Sequence, residues 1–333
     1  MRLRLLAFSA ILIASPLCAQ TQIAELGQCT LELGGVVENC RLAYRTFGKY
    51  DANRGNAILI PTWFASRAEE WLRLLGPSGV VDTAGVYVVV IESLGAGSSS
   101  SPTTSQTQRG LAFPELTIGD MVEASYRLSH DLLRLPHVHA IVGYSMGGMQ
   151  AFEWGVAHPD YADRIVSISG NPRQWTHGLS FWELVVRAAD DGVREREPRD
   201  SALTMIARLF NIGGSSPAQV NRRAPVNYAL TLQKQAESFR TLDLFEWGWQ
   251  GRAILRHDIS RRFDGDMTRA AQAWKARTLV VTATNDHSVD PEPALEFARL
   301  IRADTVIMSS PAGHNAILSD AVAKAAIRKF LWP

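Results

Sequence analysis

The sequence predicts an α/β architecture: a mostly parallel central sheet with helices on both faces and a helical insertion over one edge. Three observations lead there. Short apolar runs rich in branched residues recur along the chain, and helical patterns sit between several of them. The rhythm also breaks once, for roughly a hundred residues, before the last strands resume it.

The first segment of the chain stands outside this rhythm. Arg2 and Arg4 precede an apolar stretch over 5–14, and Leu17-Cys18-Ala19 offers a small residue for cleavage before Gln20. This reads as a secretory leader over 1–19, because the apolar run is too short to span a bilayer. Cys18 raises a lipoprotein signal as the alternative, which the bulky Leu17 opposes. The mature chain, 20–333, is then expected in the periplasm or secreted, with no membrane span. Leader removal leaves Cys29 and Cys40, flanking a stretch with Gly34-Gly35 between two strand-like runs. A hairpin would bring them together as a disulfide in an oxidising compartment; two buried free thiols are the alternative.

Strands follow over 56–61, 86–91, 138–144, 164–169, 278–282 and 305–308, and helices over 118–133, 146–157, 291–301 and 319–331. Short strands alternating with helices make a parallel sheet covered on both faces. The interruption, at about 172–268, carries helical stretches at 201–210 and 245–256 with Trp175, Trp182, Trp247 and Trp249. At least half of these tryptophans are expected to pack in the core. The insertion follows the strand after the 146–157 helix, so the economical reading is a cap over a site on that edge. The mixed-sign run 194–200, which includes Pro198, reads as a solvated loop.

Composition narrows the partners. Lys and Arg number 34 against 33 Asp and Glu, a formal net charge of +1, and no basic patch stands out. Nucleic acid is therefore not expected. No metal site or organic cofactor is expected either. The oligomeric state stays open, a homodimer included.

The chemistry is concentrated where the 138–144 strand gives way to a helix. Gly143-Tyr144-Ser145-Met146-Gly147 fits G-x-S-x-G, in which glycines make room for a sharply turned, exposed serine. Such a corner can also be an ordinary strand-to-helix turn, so Ser145 needs partners. A serine hydroxyl is a weak nucleophile that requires a base, and the base requires an orienting acid. Of eight histidines, His314 alone lies in a turn between the last strand and the last helix. The acid should follow the preceding strand, where Asp286 and Asp290 both stand. Asp290 precedes Pro291 at a helix start, a capping position that explains it, so Asp286 is preferred. The oxyanion donors expected are the backbone N–H of Met146 and that of Trp63 or Phe64, after the 56–61 strand. The Gly- and Ser-rich stretch 93–102 has no lysine and no phosphate-loop pattern.

Five segments, "LGPSGVVDTAGVYVVVIESLGAGSSS", "FPELTIGDMV", "VGYSMGGMQAFEWGVAHPD", "LVVTATNDHSVDPEPA" and "SPAGHNAIL", resemble the homoserine O-acetyltransferase family of α/β-hydrolases. The resemblance covers most of the mature chain outside the insertion. It implies an α/β-hydrolase fold, an acyl-enzyme on Ser145, a triad completed by Asp286 and His314, and Phe64 as the second oxyanion donor. The departures matter equally. Tyr144 replaces the family's glycine in the elbow, and Thr62-Trp63-Phe64-Ala65 replaces its His-Ala-Leu-Thr loop. Tyr144 is accordingly taken as a substrate contact. Ala207-Arg208 corresponds to the family's acceptor-binding Ala-Arg pair, but Ser215 stands where its partner tyrosine is expected.

The expected function is an exported serine hydrolase that cleaves a small-molecule acyl ester, in preference to an amide, through an acyl-serine. An O-acyltransferase moving an acyl group from acyl-CoA to an alcohol is the alternative. Export argues against it, because acetyl-CoA is a cytosolic metabolite. A binding protein without catalysis is opposed by the complete Ser, Asp and His set.

Overall fold

The computed structural model describes residues 20–223 and 228–332; the leader reading at 1–19 lies outside them. The chain opens with an antiparallel hairpin, β1 Gln22–Thr30 and β2 Val36–Phe47. Its turn places Gly34 at φ 88°, a conformation glycine adopts without steric cost. Cys29 and Cys40 are bonded, with Cα atoms 5.7 Å apart. Irregular register between Glu25 and Cys29 brings them together diagonally rather than as directly opposed residues.

The sheet continues with β3 Ala57–Pro61, β4 Tyr87–Ile91, β5 Val138–Tyr144, β6 Ala162–Ile168, β7 Arg277–Ala283 and β8 Asp304–Met308. Its order is β1-β2-β4-β3-β5-β6-β7-β8, antiparallel where β2 meets β1 and β4 and parallel from β4 to β8. Alternation along the strands feeds two cores. Leu59, Val89, Ile91 and Ile141 face one, while Ile58, Ile60, Val88, Val90, Ala140 and Val142 face the other. Both faces of the central strands are thus dry, which is why these strands read as continuous apolar runs.

Helices cover the faces: α1 Ile118–Tyr126, α2 Met146–Ala157 and, between β6 and β7, α3 Thr176–Val193, α4 Arg199–Gly213, α5 Pro217–Arg223, α6 Tyr228–Ser238, α7 Leu244–Leu255 and α8 Met267–Ala273. The helices α9 Glu292–Ile301 and α10 Ala321–Leu331 complete the chain. Three details differ from the sequence reading. The helix expected over 118–133 changes to a π-helical stretch at Arg127–Leu132, where Ser125 and Ser129 side chains donate back to main-chain carbonyls. The helix α3 was not anticipated, although Phe181, Val185, Ala188 and Ala189 carry its periodicity. The mixed-charge run keeps its exposed loop only to Pro198, after which α4 begins.

The inserted helices rest on the loops that follow β3 and β4. Trp249 on α7 donates its indole N–H to Phe113 O and Pro114 O, and Phe64 packs edge-on against Trp182 and Trp247. The chain returns to the sheet through Arg261 and Arg262, which both pair with the buried Glu153 on α2. Burial works to raise that carboxyl, and Arg261, the nearby His257 and Arg262 outweigh it, so it stays below its usual range. Among the described residues no helix is long and apolar enough to cross a membrane.

Candidate active site

The parallel strands β3, β4, β5, β7 and β8 all end on one rim, and the loops that leave it converge there. Ser145 sits at the tip of β5 with φ 58° and ψ −123°, between strand geometry and helix α2. The glycines are sterically required. A Cβ on Gly143 would meet Gly147 O at 1.9 Å, and one on Gly147 would meet Pro61 O at 2.5 Å. Only a bare backbone lets strand, turn and the β3 loop approach this closely.

His314 arrives from the turn after β8, and its Nε2 lies 2.8 Å from Ser145 Oγ. Its Nδ1 lies 2.7 Å from Asp286 Oδ2, across from the end of β7. An ionised carboxylate only accepts, so Nδ1 carries the proton and Nε2 is free to accept from the serine hydroxyl. Asp286 is itself fixed. Its Oδ1 accepts the Ser288 and Val289 amides at 3.0 and 2.9 Å, and the residue is buried. Asp290 does different work, accepting the Glu292 N–H at 3.0 Å at the head of α9. Gly313, at φ 57°, allows the His314 turn to press against Asn285 O, which a Cβ would meet at 2.3 Å.

The amide of Met146 heads α2, where the first N–H groups have no intrahelical acceptor. In the 62–65 loop, Thr62 N–H donates to Ile91 O and Ala65 N–H to Gln250 Oε1. Among the described residues this leaves the Trp63 and Phe64 amides between two committed neighbours. Their side chains diverge: the Trp63 ring packs on Trp71 and Tyr144, and Phe64 turns towards the inserted helices.

The two residues expected to contact substrate differ in their surroundings. Tyr144 is 3% exposed, and its hydroxyl donates to His314 O at 3.0 Å, with Asn315 Oδ1 at 3.2 Å. Burial, and then the charge of Asp286, push the phenol far above its usual range, so it remains a neutral donor. Tyr144 braces the histidine turn: its ring stacks on that of His314 with centroids 5.3 Å apart and meets Trp63 edge-on. Arg208 stands exposed on α4, in a surface cavity it shares with Asp191, Glu197 and Asp200. The helix spends its inward face on Ala202, Leu203, Ile206 and Ala207, which leaves Arg208 on its exposed side. Ser215, by contrast, is buried against the His314 turn, its Cα 3.2 Å from where a Gly313 Cβ would stand.

Sequence reasoning missed the polar groups that tie the loops together: Arg67, Glu92, Gln150, Glu246 and Gln250. Glu92 accepts the Ala68 and Ser98 amides, and Glu246 accepts from Gly97 and Arg67. Burial pushes the Glu246 carboxyl up to about 7 against the pull of Arg67. No local pattern marks these residues. Their partners lie on other elements, and only Gln150, one turn past Met146, hinted at a role by position. Among the described residues no group of three or more His, Cys, Asp or Glu is placed to hold a metal.

A buried serine at a glycine-bounded strand-to-helix corner, hydrogen-bonded to a histidine that a buried carboxylate holds, defines a class. The chain belongs to the alpha/beta hydrolase fold family, whose sequence pattern matches residues 58–321. It is an enzyme of that family, with esterases and homoserine O-acyltransferases among its relatives. It is 27% identical over 301 residues to an ethyl acetate hydrolase of Pseudomonas veronii, covering 84% of each chain. It is 29% identical over 343 residues to a homoserine O-acetyltransferase of Rhodospirillum rubrum, covering 87% of this chain and 85% of that one. Among solved structures, an acetylester hydrolase from Corynebacterium glutamicum superposes with a TM-score of 0.86 at 26% identity, over 94% of this chain and 96% of the other.

Proposed function

We propose that this protein is an exported serine hydrolase that cleaves a small acyl ester through an acyl-serine on Ser145. The observation that carries the reading is the unbroken run from Ser145 Oγ to His314 Nε2 and from His314 Nδ1 to Asp286, at 2.8 and 2.7 Å. In the first half-reaction His314 Nε2 takes the hydroxyl proton as Oγ bonds to the ester carbonyl carbon. The Asp286 carboxylate orients the ring and stabilises the imidazolium. The carbonyl oxygen becomes an oxyanion facing the Met146 and Phe64 amides, with Trp63 as the alternative second donor. Collapse breaks the bond to the alcohol, which leaves with the proton from Nε2. A water then repeats the sequence: His314 takes its proton, its oxygen bonds to the acyl carbon, and Ser145 Oγ leaves with that proton as the carboxylic acid departs.

Hydrolysis is preferred to acyl transfer because Arg208, the residue that the resemblance assigns to an acceptor carboxylate, is exposed on α4. The ethyl acetate hydrolase and acetylester hydrolase relatives support a short acyl group. The leader pattern over 1–19 supports export, as does a disulfide of the kind that persists in oxidising compartments. The test is to give the mature protein short-chain nitrophenyl esters, and separately acetyl-CoA with L-homoserine. Ester turnover without an acceptor is expected. Rapid O-acetylhomoserine formation with little free acetate would replace the hydrolase reading with the transferase one.

A further inference from the structure

The loop that carries the second oxyanion donor is gripped from two sides. Gln150, fully buried on α2, donates from Nε2 to Thr62 O at 3.1 Å and to Ser93 Oγ at 2.8 Å. Gln250 reaches down from α7. Its Oε1 accepts the Ala65 N–H at 2.7 Å, and its Nε2 donates to Leu94 O at 3.0 Å. One turn earlier on α7, Glu246 accepts the Gly97 N–H at 3.0 Å and pairs with Arg67 at 3.3 Å. The Trp63 and Phe64 amides therefore lie between a point fixed by the nucleophile's helix and a point fixed by an inserted helix. Ala65 is held at φ 51°, a conformation that a residue with a Cβ keeps only where its surroundings impose it.

We propose that Gln250 is a positioning residue for the oxyanion hole, so that helix α7 sets where the Phe64 N–H points. The inference rests on the reading above, in which Ser145 is the nucleophile and the Phe64 amide receives the oxyanion. The side chain is suited to the task because it is fixed at both ends. Donation to Leu94 O turns the amide group so that its oxygen must face the Ala65 N–H. An oxyanion donor acts only within a narrow distance of the developing charge, so a small shift of the loop weakens the transition state without touching ground-state binding. The inserted helices thereby take part in catalysis without supplying a reacting group.

The substitution Gln250→Met keeps the length and bulk of the side chain and removes both hydrogen bonds. It is expected to lower kcat on a short-chain nitrophenyl ester by about ten- to a hundredfold, with KM changed less than about threefold. A trifluoromethyl ketone, which adds to the serine as a tetrahedral oxyanion, should lose affinity in parallel with kcat/KM. Gln250→Glu gives a second readout inside one folded protein. Its protonated carboxyl can accept from Ala65 and donate to Leu94 O, while the carboxylate cannot donate. That variant should lose kcat as pH rises, along a limb that the wild type lacks. A wild-type kcat in Gln250→Met, a change in KM alone, or an unaltered pH profile in Gln250→Glu overturns the proposal. Ser145→Ala keeps the two levels apart: if it is inactive while Gln250→Met is normal, only the positioning role fails. Activity in Ser145→Ala removes the reading beneath it.

Discussion

At the elbow, an added Cβ on Gly143 or Gly147 would meet main-chain oxygens at 1.9 and 2.5 Å, whereas on α4 Met205 and Ile212 stand 45% and 73% exposed. The first region is defined by backbone contacts that no side-chain rearrangement relieves. The second is defined by side-chain packing, a few buried polar ties and a large solvent face. The contrast teaches where each part is sensitive. Chemistry placed on the rim depends on single atoms, while the helices above it act through the loops they hold.

The sharpest break of that comparison is Ser145→Ala. The glycines, not the hydroxyl, shape the turn, so the fold should stay while ester turnover falls by about four orders of magnitude or more. Circular dichroism and an ester assay on one preparation check both halves, and retention of more than about a tenth of the activity removes Ser145 from the role. His314→Ala should be as severe.

Asp286→Asn should cost less, about a hundred- to ten-thousandfold in kcat, because an amide in its place no longer fixes the imidazole tautomer. Asp290→Asn is its control on the same loop. It should leave kcat near wild type and cost at most about 1 kcal/mol of stability, since it touches only the head of α9. Equal losses of rate in the two variants would show that the loop, not the Asp286 carboxylate, matters.

Replacing Cys29 and Cys40 by serine tests a part that neither region uses. The closed loop is short, with a sequence separation of 11, and its loss should lower stability by about 3 kcal/mol with kcat unchanged. Denaturant titration of the two proteins, with activity measured alongside, decides it.

Glu246 provides a subtler test of the insertion. Its folded pKa, about 7, lies above the ordinary carboxylate value of 4.5. A carboxyl raised in this way holds its proton in the folded state, so its contribution is present below the unfolded value and is lost as pH rises through about 7. The wild type should lose more melting temperature than Glu246→Gln between about pH 5 and pH 8. Parallel curves would mean that the buried charge is fully met by Arg67. The smallest effect expected is Arg208→Ala, within about twofold of wild type in kcat and KM, since the residue is exposed on α4.

Much of the rim was legible because its rules are local. Met146–Ala157 and Val138–Tyr144 have the bounds their sequence patterns predict, and Asp290's place before Pro291 explains it as a cap. The insertion was less legible. Arg208 was assigned by motif likeness, but the phase of α4 turns it outward, and a helix's phase is set by what packs against it. Tyr144 carries the same lesson: a large residue in an elbow invites a substrate role, and only the structure shows its hydroxyl donating to His314 O.

Neighbouring residues alone gave away the strand-helix alternation of the sheet, the glycine-bounded corner at Ser145 and the candidate histidine and acid, because periodicity, turn chemistry and chain order are local properties; helix α3 escaped them. Which groups meet across elements depended on how those elements pack. That packing set the 2.8 Å approach of His314 to Ser145, the bracing of that turn by Tyr144 and the hold of Gln250 on Ala65. Such contacts join residues far apart in the chain through the packing of whole elements, and no local pattern records that packing.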